Sequence, residues 1–135
     1  MGLDARLVSI PGEAPYLAGK PHIGLSFSHE PGLSLAAINF ASPVGIDLLQ
    51  GSANGLSGDE IRQLGMDYLG PAASRLISDN PEAFAEAWTQ HEARLKCLGL
   101  GLTEWTPAVG QGLAGCRCVR LDLPDEWIGV LAVRA

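Results

Sequence analysis

The sequence predicts an α+β domain in which helices pack on an antiparallel sheet. Three observations predict it. Short segments of alternating apolar and polar residues fill the region from His22 to Asp47, and capped helical segments follow as far as about Leu98. Two strand-like segments then close the chain, giving the order β-β-β-α-α-β-β. No repeat, low-complexity tract or internal linker divides the 135 residues, a length that suits one domain with a real core. The chain therefore reads as a single domain over 1–135, with a loop-rich arm over 1–20.

The arm carries Pro11, Gly12, Pro15 and Gly19 and no sustained period. From Ile23 to His29 the pattern alternates, Glu30-Pro-Gly32 signals a turn, and Leu33–Asn39 follows. A second turn at Ala41-Ser-Pro43 leads into Val44-Gly-Ile-Asp47, so the three strands read as a meander. Ser57, with Glu60 three residues on, marks the start of a helix over Asp59–Leu69 that stops before Gly70-Pro71. A short helix over Ala72–Ser78 is expected next. Asn80, with Pro81 in the first turn, caps a longer helix that ends at Gly99. The closing strands are Cys116–Leu123 and Ile128–Val133, separated by Pro124-Asp-Glu126. The glycine-rich stretch Gly110–Gly115 reads as a mobile loop.

Composition narrows the function classes. Apolar residues make up 47% of the chain and charged ones 18%, which argues for a packed domain rather than disorder. The net charge is −6, and the nine basic residues are scattered from Arg6 to Arg134. A nucleic-acid binder shows a clustered basic face, so that class is set aside. Met1-Gly-Leu-Asp-Ala-Arg lacks the apolar block of a signal peptide. No window approaches the roughly 18 apolar residues of a membrane span. Cys97, Cys116 and Cys118 are an odd number without a metal-ligand pattern, and the last two share one face of a strand. They read as reduced core thiols of a cytoplasmic protein, with a redox or metal role as the alternative.

The chemistry concentrates in Trp88-Thr-Gln-His-Glu-Ala-Arg-Leu-Lys96. At about 100° per residue, Trp88, His91, Glu92, Leu95 and Lys96 share an arc of about 140° on one helix face. Glu92 and Lys96 alone would be an ordinary i,i+4 ion pair. Asp47, however, ends an apolar strand and brings a second carboxylate out near the core. Mg²⁺ is commonly held by one or two carboxylates with phosphates and water. Asp47 and Glu92 are that pair, and Lys96 is a point charge for a phosphate. Lys20, before the first strand, and Ser28-His29, at its end, form a second candidate phosphate grip. No acid stands beside His29 to complete a triad, and no G-x-S-x-G elbow occurs.

Gly19-Lys-Pro21, Leu25-Ser-Phe-Ser-His29, Val44-Gly-Ile-Asp47 and Trp88–Lys96 with Gly99-Leu-Gly-Leu102 occur in this order over most of the chain. In order and spacing the set resembles the 4′-phosphopantetheinyl transferases, most closely the surfactin-synthetase type, from about Tyr16 to Val133. The resemblance implies transfer of 4′-phosphopantetheine from coenzyme A to a serine of an acyl, polyketide or peptidyl carrier protein. By motif position Asp47 and Glu92 are Mg²⁺ ligands at the pyrophosphate, and Lys96 touches the same phosphates. Lys20, Ser28 and His29 hold the adenosine 3′-phosphate end. Glu92 is the in-chain group for assisting the base.

Three departures stand against that pattern. Leu49 occupies the place where the larger members carry a second acid. His91 replaces the lysine before the helical Glu, so phosphate affinity is expected to titrate near neutrality. The chain also corresponds to one of the two similar halves of a surfactin-type enzyme, which implies a homo-oligomer with a composite site. A catalytically impaired, CoA-binding or structural homologue is the alternative. Arg62, Arg75 and Arg94 are equal candidates for docking the acidic carrier.

Overall fold

Gly32 fixes the geometry of the N-terminal hairpin. The computed structural model describes residues 6–11, 13–51, 55–124 and 126–135, so the leader reading of Met1–Arg6 lies, Arg6 apart, outside the described residues. The arm is not wholly loop: β1 (Leu7–Val8) pairs antiparallel with β2 (Tyr16–Leu17). Strands β3 (Gly24–Glu30) and β4 (Leu33–Asn39) then pair over their whole length. Pro31 and Gly32 make the turn between them, Gly32 at φ +96°, a conformation glycine adopts without steric cost.

The expected meander stops there. Strand β5 (Val44–Gln50) pairs antiparallel with β7 (Trp127–Arg134), which pairs in turn with β6 (Cys116–Arg120), for the order β5-β7-β6. The C-terminal strand, apolar at nearly every position, takes the centre of this sheet, and the third strand leaves the hairpin to join it. Strand β6 ends three residues before the expected Leu123.

Helix α3 (Pro81–Cys97) crosses the β5-β7-β6 sheet. Asn80 accepts from the Ala83 N–H at its start. At its end Gly99, at φ +69°, closes a Schellman turn in which Leu100 N–H donates to Leu95 O at 2.9 Å. One core lies between α3 and the sheet, where Ala85, Ala93 and Cys97 meet Cys116, Ile128, Val130 and Ala132, with Leu49 and Cys118 packed against them. Cys116 and Cys118 do share the face toward α3. The approach is closest at Gly45, where a Cβ would sit 1.9 Å from Ala93 O.

A second core forms beside α3. Helix α1 (Gly58–Leu64) starts with the expected capping box of Ser57 and Glu60. It passes into a π-helical turn over Gly65–Leu69, and α2 (Pro71–Ile77) follows. Ile61, Leu69, Ile77 and Phe84 are buried together here, with Trp88 packed against them.

The glycine-rich stretch is not a loop. It belongs to α4 (Pro107–Ala114), capped by Thr106 through the Val109 N–H. A Cβ on Gly110 would lie 2.9 Å from the Trp105 indole, and one on Gly70 2.6 Å from it. Those glycines make room for a ring, which is why a glycine-rich sequence reads as loop and folds as helix.

Candidate functional site

Strand β5 has one edge on β7 and the other beside β3, and no backbone ladder joins β3 to β5 among the described residues. Side chains bridge that seam instead. Ser26, on the inward face of β3, accepts the Ile46 N–H at 2.9 Å. Ser28, two residues on and also buried, donates to Asp47 Oδ1 at 3.3 Å. Lys96 reaches in from the last turn of α3. Its Nζ lies 3.0 Å from Phe27 O, 3.0 Å from Ile46 O and 3.1 Å from Asp47 Oδ1. An ammonium has three N–H donors, and all three are engaged, one on each strand's carbonyl and one on the carboxylate.

The electrostatics follow from burial. Asp47 has 14% of its side chain exposed. Desolvation pushes its carboxyl above the usual range, while Lys96, Leu48 N–H and Ser28 pull the other way. Glu92, one turn before Lys96 and half-buried, is also raised, first by burial and then by the charge of Asp47, with Lys96 opposing. Asp47 is near enough for its charge to raise Glu92, and two neighbouring carboxylates are a donor pair that suits a hard divalent cation. Among the described residues no group of three His, Cys, Asp or Glu side chains comes together as a ligand set, so that pair is the extent of it.

Two open cavities meet at Lys96. The larger, about 420 Å³, is bounded by Glu92 and Lys96, by Ser26 and Phe27, by the arm through Glu13, and by the glycine exit Gly99–Leu102. The smaller, about 240 Å³, continues past Lys96 toward His22, Pro43 and Arg134. The arm and the loosened exit of α3 thus both border the larger depression, which reaches the seam at Ser26, Phe27 and Lys96, while Asp47 and Ser28 line neither cavity.

The structure brings Asp47, Ser28, Glu92 and Lys96 together. It places the other predicted residues elsewhere. His29 is exposed and its Nδ1 lies 2.6 Å from Ser34 Oγ across the hairpin. Half-buried Lys20 closes the arm through a bridge to Leu17. Neither lines a cavity at Lys96. His91 is buried in the helical side of the domain, its ring 6.2 Å from that of Trp88. Its Nε2 has no hydrogen-bond partner. Burial, and then Arg94, hold its pKa below the ordinary imidazole value. Leu49 packs into the core under α3.

Ser26 and Glu13 were missed by the sequence reading. Ser26 had a signal, since it shares the strand face of Ser28 two residues away. Glu13 had none, because its place depends on how the arm folds back. Of the docking arginines, Arg62 is paired with Asp59 and Asp79, and Arg94 is half-buried with Nε unpartnered. Arg75 is exposed, with no ion pair among the described residues.

The cysteines are free thiols, and burial with Cys116 alongside pushes Cys97 up to about 11. Among the described residues no helix is long and apolar enough to cross a membrane. Compared with known proteins, the chain matches no family model and no curated protein.

Proposed function

We propose that this chain transfers 4′-phosphopantetheine from coenzyme A to a serine of an apo carrier protein, with Mg²⁺. One observation carries the reading. Residues from three separate motifs meet: Glu92 and Lys96 line one depression, and Asp47, held by Ser28 and Lys96, lies behind them. The carboxylate pair fits the cation: Asp47 and Glu92 would hold it, and it supplies charge neutralisation on the CoA pyrophosphate.

The chain's own groups do the rest. Glu92, held above the usual carboxylate range, takes the proton of the carrier serine hydroxyl. The serine oxygen bonds to the phosphorus of the phosphopantetheine, and the bond to the departing 3′,5′-ADP breaks. Ser28 and Lys96 hold Asp47 in place. Lys20 and His29, which line neither cavity at Lys96, take no part in this step, and neither does His91, which is buried. The apolar rim of the depression, with Phe27 42%, Leu100 47% and Leu102 52% exposed, is the surface a second copy would cover to complete the site.

A second reading draws on a specific observation. All three Lys96 donors are satisfied within the protein, and Leu49 leaves no further acid, which favours a CoA-binding domain that does not transfer. Incubation with CoA, Mg²⁺ and a panel of apo carriers, followed by intact mass, separates the two. The transferase reading expects a phosphopantetheine-sized gain on a carrier serine, abolished in Asp47→Ala and Glu92→Ala. CoA binding by calorimetry with no gain on any carrier favours the second reading. An active enzyme that is strictly monomeric by light scattering would remove the composite site.

A further inference from the structure

The central strand β7 ends in a charge on the face that it otherwise buries. Ile128, Val130 and Ala132 lie in the core under α3, and side chains two apart on a strand share a face. Arg134 continues that face at the end of the strand. It lines the smaller cavity at Lys96, about 240 Å³, together with Cys97 and Leu98 at the end of α3. Burial and Cys116 push the Cys97 thiol up and Arg134 opposes them, so the guanidinium stands close to the inner wall. His22 reaches the same cavity from the turn before β3. Pro21 and the Ile23 N–H, which donates to Lys20 O at 3.2 Å, hold that turn in shape. Arg134 and His22 are both exposed, and neither makes an ion pair among the described residues.

None of the residues lining this cavity is Asp or Glu, although the chain has 15 acidic residues against 9 basic ones. Glu13 and Glu92 border the larger cavity instead, and Asp47 is paired with Lys96. Lys96 gives its three donors to the seam, which leaves Arg134 and His22 as the donors of this cavity. We propose that it binds a small phosphate monoester, its phosphate held by Arg134 and His22 and its organic body laid against Ile23, Leu25, Val44 and Leu98. A guanidinium is a fork of donors with no acceptor. Alone, that fork satisfies a planar carboxylate, taking both of its oxygens. A phosphate has three terminal oxygens, so the fork and an imidazole N–H can act on it together. The apolar walls, with Ile23 and Val44 buried, favour an ester over the free ion. A cavity smaller than the roughly 300–1,000 Å³ of drug-sized ligand sites suits a small molecule. No group that moves a proton or holds Mg²⁺ in the transfer reading lines this cavity, so the two stand or fall separately.

Phenyl phosphate is the probe, titrated in EDTA so that no divalent cation takes part, and read by calorimetry and by amide shifts of the ¹⁵N-labelled protein. Saturable binding is expected, with the largest shifts at Ile23, Gly24, Val44 and Gly99. Arg134→Gln is expected to weaken it about tenfold or more, the worth of a charge-assisted hydrogen bond, and His22→Ala about fivefold. Both side chains are exposed, so the melting temperature is expected to hold in each. Arg75→Gln, an exposed arginine that does not line the cavity, is expected to leave binding unchanged. Glu92→Ala, which abolishes transfer in the reading above, is expected to leave it unchanged too. Inorganic phosphate and phenylacetate are each expected to bind at least tenfold more weakly than the ester. No saturable binding, or binding that Arg134→Gln does not alter, overturns the proposal. So does phosphate or phenylacetate binding as tight as that of the ester, or an equal loss in Arg75→Gln, which would mean attraction to charge in general.

Discussion

The two edges of β5 are held by different means. On one side seven residue pairs run in unbroken register with β7. On the other, two serines, a lysine and an aspartate span the gap to β3 in place of a ladder. A backbone ladder depends little on side-chain identity or charge. A side-chain seam depends on both, and its groups are the ones a cation or phosphate could compete for. The candidate site therefore lies on the edge of β5 that the sheet leaves unpaired.

The first way to break this comparison is to attack what both edges share. Gly45 lets α3 lie against β5, and a Cβ there would also come within 2.5 Å of Cys97 N. Backbone of a packed helix cannot yield as a flexible side chain can, so Gly45→Val forces α3 off the sheet. Overpacking of this kind costs about 3 kcal/mol or more. We expect loss of cooperative unfolding by circular dichroism, or a melting temperature lowered by well over 10 °C, with ladder and seam lost together.

The second acts on the seam alone. Lys96→Met keeps the stem of the side chain but leaves Asp47 and two carbonyls without their partner. Breaking a buried pair costs about 3–5 kcal/mol. With 32% of the Lys96 side chain exposed, solvent screening reduces the expectation to about 2 kcal/mol. Asp47→Asn in the Lys96→Met background removes the stranded charge and is expected to restore part of the loss in urea unfolding. If Lys96→Met were neutral, the seam would owe nothing to its ammonium, and Lys96 would be free for a ligand.

The same contrast explains what the sequence made legible. Helix boundaries were readable where a local device sets them, as with Ser57 and Glu60, or Asn80 and Pro81. The α+β class followed from periodicity. The partner of β5 was not readable, because nothing within Val44–Gln50 distinguishes a neighbour in the hairpin from one 77 to 89 residues on. Pairing of that range is decided by which strand can be buried on both faces, and the apolar Ile128–Val133 wins the centre. At the site, Asp47, Glu92 and Lys96 were picked out together from residue type and spacing, whereas Ser28, expected with Lys20 and His29, lies against Asp47 instead. His91 was misleading in position: the arc it shares with Glu92 is wide enough to span two surroundings, with Lys96 at one side facing the strands and His91 at the other facing Trp88. The helical role of Gly110 was hidden because its reason, the Trp105 ring, comes from outside the stretch.

The smallest effect expected is the one that sharpens the comparison most. Ser26→Ala deletes a single hydroxyl and leaves the Ile46 N–H without its acceptor in a buried setting. A buried donor left unpaired costs about 1–2 kcal/mol. The loss should be local, because the ladder on the other side of β5 is untouched. Amide hydrogen exchange reads this directly. In the wild type the Ile46 amide, held by a side chain, should exchange faster than the ladder amides of β5 and β7, which open only with the whole domain. In Ser26→Ala the Ile46 amide should lose at least tenfold in protection while the central amides of β7 fall only by the global loss. Uniform loss along β5 would mean that the seam and the ladder open as one unit. The polar seam would then be part of the rigid frame, and not a place where the structure can give way to a ligand.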